Sequence, residues 1–138
     1  MIRQVLIDSN ITVDFILMRT GFVENAEKIF KLIEAGNIAG CISASAITDI
    51  HYIIKSKANS KYAWEMVEYL YRTLRILPVI RETIRDALDS GMPDFEDAVQ
   101  AAAAKNFVID IVVTRDKSGF HNSGLQVYSP EEFLKEFI

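Results

Sequence analysis

The chain has a single cysteine, Cys41, so no disulfide forms within it and a reducing compartment fits. Apolar neighbours and the lack of a nearby histidine make Cys41 a small core residue rather than a nucleophile. There are two histidines, His51 and His121. They are too few for a three-histidine zinc site, and their spacing matches no zinc motif. His51 is expected to pack or hydrogen-bond near Asp49. Glycine and proline are scarce, and none builds a Walker-type or dinucleotide-binding loop. Ser9 follows an apolar run, but no Gly-x-Ser-x-Gly elbow surrounds it, which argues against a serine hydrolase. No stretch approaches the roughly 20 apolar residues of a membrane span. The opening MIRQVLIDSN lacks the apolar core of a signal peptide. The expectation is a soluble cytoplasmic protein with no membrane partner. Positive charge is also short: 15 Lys and Arg stand against 19 Asp and Glu, a net charge of −4. Strong nonspecific nucleic-acid binding by the bare protein is thereby disfavoured, because it depends on phosphate neutralisation. An acidic site that becomes attractive once a metal loads is still compatible with that balance.

Half of the 138 residues are hydrophobic and a quarter charged, enough apolar material for one ordinary domain over residues 1–138. Strand and helix signals alternate. Val5-Leu6-Ile7 is a continuous apolar run, as in a strand buried on both faces. A helix follows over 11–18, and Ala26, Ile29, Phe30 and Ile33 mark another over 23–35, ending before Gly36. A strand over 39–42 leads to a helix capped by Ser43 or Ser45 and carrying Ile47, Ile50 and Ile54. Residues 60–75 form an amphipathic helix with Trp64, Val67, Leu70, Tyr71 and Leu74. A strand over 76–79, a helix to about 89, an alanine-rich helix over 95–106, strands over 111–113 and 126–128 and a helix over 130–137 complete the order. Such alternation implies a mostly parallel sheet covered on both faces, with right-handed crossovers. Sites in such sheets form beyond the carboxyl ends of the strands, where strand order switches.

Carboxylates fall at that edge from distant segments. Asp8 follows the first strand, Asp49 lies early in the helix after the second, Asp94 and Asp97 open the alanine-rich helix, and Asp116 lies just past the strand over 111–113. Each has an ordinary role available. Asp8 and Asp94 suit helix N-caps, Asp97 suits the positive end of a helix dipole, and Asp116 suits a turn. Asp49 is the exception, because Asp is a poor helix former and here borders the Ile47/Ile50/Ile54 face, half-buried and wanting a partner. Taken together, like charges so placed repel and raise one another's pKa. A divalent cation relieves that repulsion, and all-oxygen ligands suit Mg²⁺ or Mn²⁺. Ala101 and Ala104 continue the Asp97 side of its helix and let it sit close to the sheet, holding Asp97 near Asp8.

Four blocks carry a resemblance: Val5-Leu6-Ile7-Asp8-Ser9-Asn10; Ile42-Ser43-Ala44-Ser45-Ala46-Ile47-Thr48-Asp49-Ile50; Asp94-Phe95-Glu96-Asp97-Ala98-Val99-Gln100-Ala101-Ala102-Ala103-Ala104; and Val112-Val113-Thr114-Arg115-Asp116. In this order and spacing the chain resembles the PIN-domain family, and VapC-type toxin ribonucleases in particular, over nearly its whole length. The resemblance implies a three-layer α/β/α, flavodoxin-like fold and metal-dependent hydrolysis of RNA with Mg²⁺ or Mn²⁺. It maps the family's acids to Asp8, Asp49, Asp97 and Asp116, with Asp8, Asp97 and Asp116 on the metal. Asp49 stands where Glu is commoner, which shortens its reach by a methylene. Asp94 becomes an accessory acid, Thr114 a hydroxyl that orients the acids or a water, and Asn10 a polar neighbour of the first acid. A small antitoxin protein is the implied partner.

Arg115 and Lys117 flank Asp116 and either touch phosphate or form a solvated loop pair. Lys55, Lys57 and Lys61 are the densest basic stretch and either guide RNA or end a helix in solvent. The aromatics on the helix over 60–75 either fill the core or line a homodimer face, the core being the safer reading. Two other functions compete. Asp8-Ser9-Asn10-Ile11-Thr12 faintly resembles the opening of haloacid-dehalogenase-like phosphatases, but Asn10 stands where the second aspartate is required. A PIN-like module that only binds RNA or protein is the other alternative.

Overall fold

The computed structural model describes residues 2–137. Among them are five strands: β1 (Arg3–Ile7), β2 (Ile38–Ser43), β3 (Arg75–Leu77), β4 (Ile111–Val113) and β5 (Gln126–Tyr128). The helices are α1 (Ser9–Ile16), α2 (Val23–Glu34), α3 (Ala44–Lys57), α4 (Ser60–Thr73), α5 (Arg81–Asp89), α6 (Phe95–Asn106) and α7 (Pro130–Phe137), with a short 3-10 turn at Lys117–Phe120. The expected boundaries hold to within two residues. Ser43 caps α3 by accepting from the Ala46 amide at 3.3 Å, and Asn59 caps α4 by accepting from the Tyr62 amide at 2.8 Å.

The sheet has the order β3-β2-β1-β4-β5, and every pairing is parallel. The chain moves outward from β1 through β2 to β3, then returns to pair β4 with the other side of β1. Strand order therefore switches between β1 and β4, which are in register at Leu6–Val112 and Ile7–Val113.

Alternation along the strands divides the core into two layers. Val5, Ile7, Ile42, Ile111 and Val113 face one side, where Ile11, Ile29, Phe30, Ile50, Leu70 and Phe133 bury them. Leu6, Cys41, Leu77 and Val112 face the other, against Ala101, Ala103, Ala104 and Phe120. The Cys41 thiol is fully buried, and desolvation pushes its pKa up to about 11, as befits packing rather than chemistry. All seven residues from Ala98 to Ala104 are buried. Small side chains there let α6 lie close on the sheet, which sets how near its first turn comes to the end of β1. Among the described residues no helix is long and apolar enough to cross a membrane.

The aromatics of α4 depart from expectation. Trp64 and Tyr71 are 71% and 72% exposed, while Ala63 and Leu70 make the buried seam of that helix. The apolar stripe of α4 is narrow, and its large rings flank it rather than fill it.

Candidate active site

Asp8 occupies the N-cap position of α1 but makes no side-chain cap hydrogen bond. It is turned into the protein instead, 4% exposed. Thr114 Oγ1 donates to its Oδ2 at 2.6 Å, and Gln100 Nε2 donates to its Oδ1 at 3.3 Å. The strand pairing explains this placement. The Asp8 amide donates to the Val113 carbonyl at 3.1 Å, so Asp8 and Thr114 leave the ends of β1 and β4 side by side. Burial raises the pKa of Asp8; Thr114 and Gln100 work against that rise, and the charge of Asp116 adds to it.

Asp97 comes from the first turn of α6. Asp94 is the cap of that helix, its Oδ1 accepting from the Asp97 amide at 2.9 Å. Asp94 therefore fills the ordinary capping role, and the rigid start it provides points Asp97 inward. The Asp97 carboxyl is pushed up to about 7, first by desolvation, then by the charges of Asp8, Asp94, Asp116 and Glu96.

Asp116 starts the 3-10 turn. Its Oδ1 accepts from Ser118 Oγ at 2.7 Å and from the Gly119 amide at 3.3 Å. Its own amide donates to Thr114 Oγ1 at 3.0 Å, so one hydroxyl ties Asp116 to Asp8. One oxygen thus does turn duty while the other is free to face Asp97. Gly119 makes that approach feasible. A Cβ at this position would collide with Asp97 Oδ2 and stand 3.0 Å from Asp116 Oδ2. Both oxygens press against the same bare stretch of backbone.

Other expected site residues are placed differently. Asp49 is exposed rather than half-buried: it turns off the isoleucine face of α3, whose buried residues are Ala46, Ile50 and Ile54. Its companion is Glu96, which sequence reasoning missed. Glu96 keeps much of its surface exposed, yet its carboxyl end meets Asp49. Partial desolvation, then the charge and hydrogen bond of Asp49, raise its pKa. Its only sequence signal was its place inside Asp94-Phe95-Glu96-Asp97, where a first-turn acid already has a sufficient reason to exist.

Arg115 is exposed, and its guanidinium is engaged by an acid of α1. Its Nε and Nη2 donate to Asp14 at 2.6 and 3.1 Å, and its guanidinium lies 3.9 Å from the centre of the Phe22 ring. Lys117 is paired with Glu132 at 2.9 Å. Lys55 and Lys57 lie in the last turn of α3, about 20 Å of helix away from its Ser43 end. Asn10 leaves Oδ1 buried without a partner. His51 packs edge-on to Trp64 at 5.9 Å with Nε2 buried and unpaired, and it does not engage Asp49.

Among the described residues no group of three His, Cys, Asp or Glu side chains already surrounds one point as a metal cage. The donor set nevertheless suits a hard cation. It consists of carboxylates from β1, α6 and the segment after β4, held in mutual repulsion at the switch point, with no Lys or Arg among the groups that shift Asp8 or Asp97.

The sequence matches the PIN domain over residues 4–118. No curated protein matches it. Among solved structures, the chain is similar to a DNA-bound VapBC from Salmonella typhimurium, with TM-score 0.69 and 16% identity over 94% of this chain and 99% of that one. A toxin–antitoxin complex from Klebsiella pneumoniae gives TM-score 0.67 and 18% identity over 91% and 97%. The sarcin-ricin-loop-cleaving toxin VapC20 of Mycobacterium tuberculosis gives TM-score 0.64 and 13% identity over 78% and 86%. At such identities the structures speak for the fold, and the sequence match, spanning the segments that carry Asp8, Asp97 and Asp116, makes the chain a member of the PIN-domain family.

Proposed function

We propose that the protein is a divalent-metal-dependent ribonuclease, with Asp8, Asp97 and Asp116 as the ligands of Mg²⁺ or Mn²⁺, and the toxin of a toxin–antitoxin pair. The observation that carries this reading is that the charges of Asp8 and Asp116 act on Asp97 at the β1–β4 switch point, with Asp97 and Asp116 both pressed against Gly119, where a side chain would collide. When bound, the cation supplies a Lewis acid for the scissile phosphate and an acidified water. The chain's own residues do the rest. Thr114 fixes the Asp8 carboxylate by donating to it, and also receives the Asp116 amide, so the two acids keep one spacing. One of the acids would accept the proton of the attacking water. Asp49 and Glu96 lie at the rim and would shape where the RNA backbone enters, not the ion itself. The toxin assignment draws on the Klebsiella pneumoniae complex and on VapC20, both described as toxin proteins or complexes.

The test is cleavage of a single-stranded RNA by the full chain with Mn²⁺, with chelator, and with Asp97→Asn. Cleavage is expected only with metal, and Asp97→Asn is expected to lower its rate by about 100-fold or more. Metal-independent cleavage, or an Asp97→Asn rate equal to the native one, contradicts the reading. RNA binding without cleavage under any condition favours the binding module instead.

A further inference from the structure

Gln100 is the one polar side chain in the buried run from Ala98 to Ala104, and it is 0% exposed. Apolar residues of similar size would fill that place at less cost, because a buried carboxamide demands partners for both of its ends. Only one end has a partner. Nε2 donates to Asp8 Oδ1 at 3.3 Å, while Oε1 is buried and unpaired. Three residues after Asp97, Gln100 shares its face of α6. The carboxamide therefore sits where the acids of β1 and α6 meet. An unpaired acceptor oxygen beside carboxylates is repelled by them and needs a donor that the protein itself does not supply.

We propose that Gln100 is a positioning residue for the cation. Nε2 holds the rotamer of Asp8, and Oε1 accepts a hydrogen bond from a water carried by the ion. The inference rests on the metal-dependent reading above and names a residue outside the acid set. Partners of this kind orient ligands, and their loss typically costs about 10–100-fold in metal affinity.

Mn²⁺ titration of the chain, followed by calorimetry or by the electron-paramagnetic resonance of free Mn²⁺, tests it in native protein, Gln100→Met, Gln100→Leu and Asp97→Asn. Gln100→Met keeps the volume and removes both polar ends. Its Mn²⁺ dissociation constant should rise about tenfold or more, with thermal stability in chelator equal to or above native. Gln100→Leu also removes both polar ends, and its Mn²⁺ dissociation constant should likewise rise about tenfold or more. If Gln100→Met binds like native while Asp97→Asn is weakened, Gln100 has no such role and the metal reading stands. If Gln100→Met fails to fold, Gln100→Leu decides, and native-like Mn²⁺ binding there overturns the proposal. If native protein binds no Mn²⁺, or Asp97→Asn binds as well as native, the metal reading fails and the Gln100 proposal fails with it.

Discussion

Two buried aspartates belong to the same short helix and meet opposite surroundings. Asp14, 1% exposed and near the end of α1, is gripped by Arg115 through two hydrogen bonds and approached by Arg19 at 3.5 Å. Asp8, 4% exposed at the start of α1, is held by neutral donors, Thr114, Gln100 and Ser9, and faces further acids. The fold neutralises one charge internally and leaves the other unneutralised. Asp14 works as a structural clasp that ties α1 to the loop carrying Asp116, since Arg115 immediately precedes Asp116. Asp8 is kept in tension, and tension among ligands is what a bound cation would relieve.

Breaking each acid should therefore give opposite results. Asp8→Asn should abolish RNA cleavage, a drop of about 100-fold or more, yet leave stability unchanged or raised, because it removes a like charge. Asp14→Asn should cost about 3 kcal/mol of folding stability, since it strands a partly buried arginine and weakens a buried pair. Urea unfolding of both variants beside a cleavage assay separates these outcomes. A stable Asp14→Asn, or an Asp8→Asn that unfolds, would erase the contrast.

A smaller perturbation leaves every acid in place. Gly119→Ala puts a methyl against Asp97 Oδ2 and Asp116 Oδ2. Mn²⁺ affinity should fall about tenfold, the scale seen when ligand geometry is disturbed, with little change in the unfolding midpoint in chelator. Unchanged Mn²⁺ affinity would mean that the two oxygens do not need that approach.

The smallest effect expected is a pH dependence. The Asp97 pKa lies at about 7, above its ordinary 3.8. A raised folded-state value means that the native state holds the proton longer than the unfolded chain. Stability in chelator should accordingly be greatest below pH 4 as far as Asp97 is concerned, and its contribution should be lost as pH rises through 7. Asp97→Asn should flatten that slope between pH 5 and 8, and Mn²⁺ should reverse it. Unfolding curves measured across this range provide the check, and a native slope equal to that of Asp97→Asn would contradict it.

Much of this was legible in the sequence for physical reasons. Continuous apolar runs such as Val5-Leu6-Ile7 and Ile111-Val112-Val113 have few alternatives to buried parallel strands. Once the sheet is parallel, residues just past those strands must share an edge, so Asp8 and Asp116 were predictable neighbours. The partners of charged side chains were not legible. Arg115 looked free because Asp14 is far from it in sequence, and only the fold brings the end of α1 to the segment after β4. Glu96 was hidden for the same reason, since its neighbour Asp49 lies on another helix. Trp64 and Tyr71 misled because helical spacing identifies a stripe, but the width that packing covers is set by the neighbouring helix.

The most direct test is to soak crystals of the native protein in Mn²⁺ and locate the ion by its anomalous scattering. One peak is predicted beyond the carboxyl ends of β1 and β4, at about 2.0–2.4 Å from oxygens of Asp8, Asp97 and Asp116. Anomalous density confined to other parts of the molecule, with those three carboxylates contacting no ion at saturating Mn²⁺, would contradict the account.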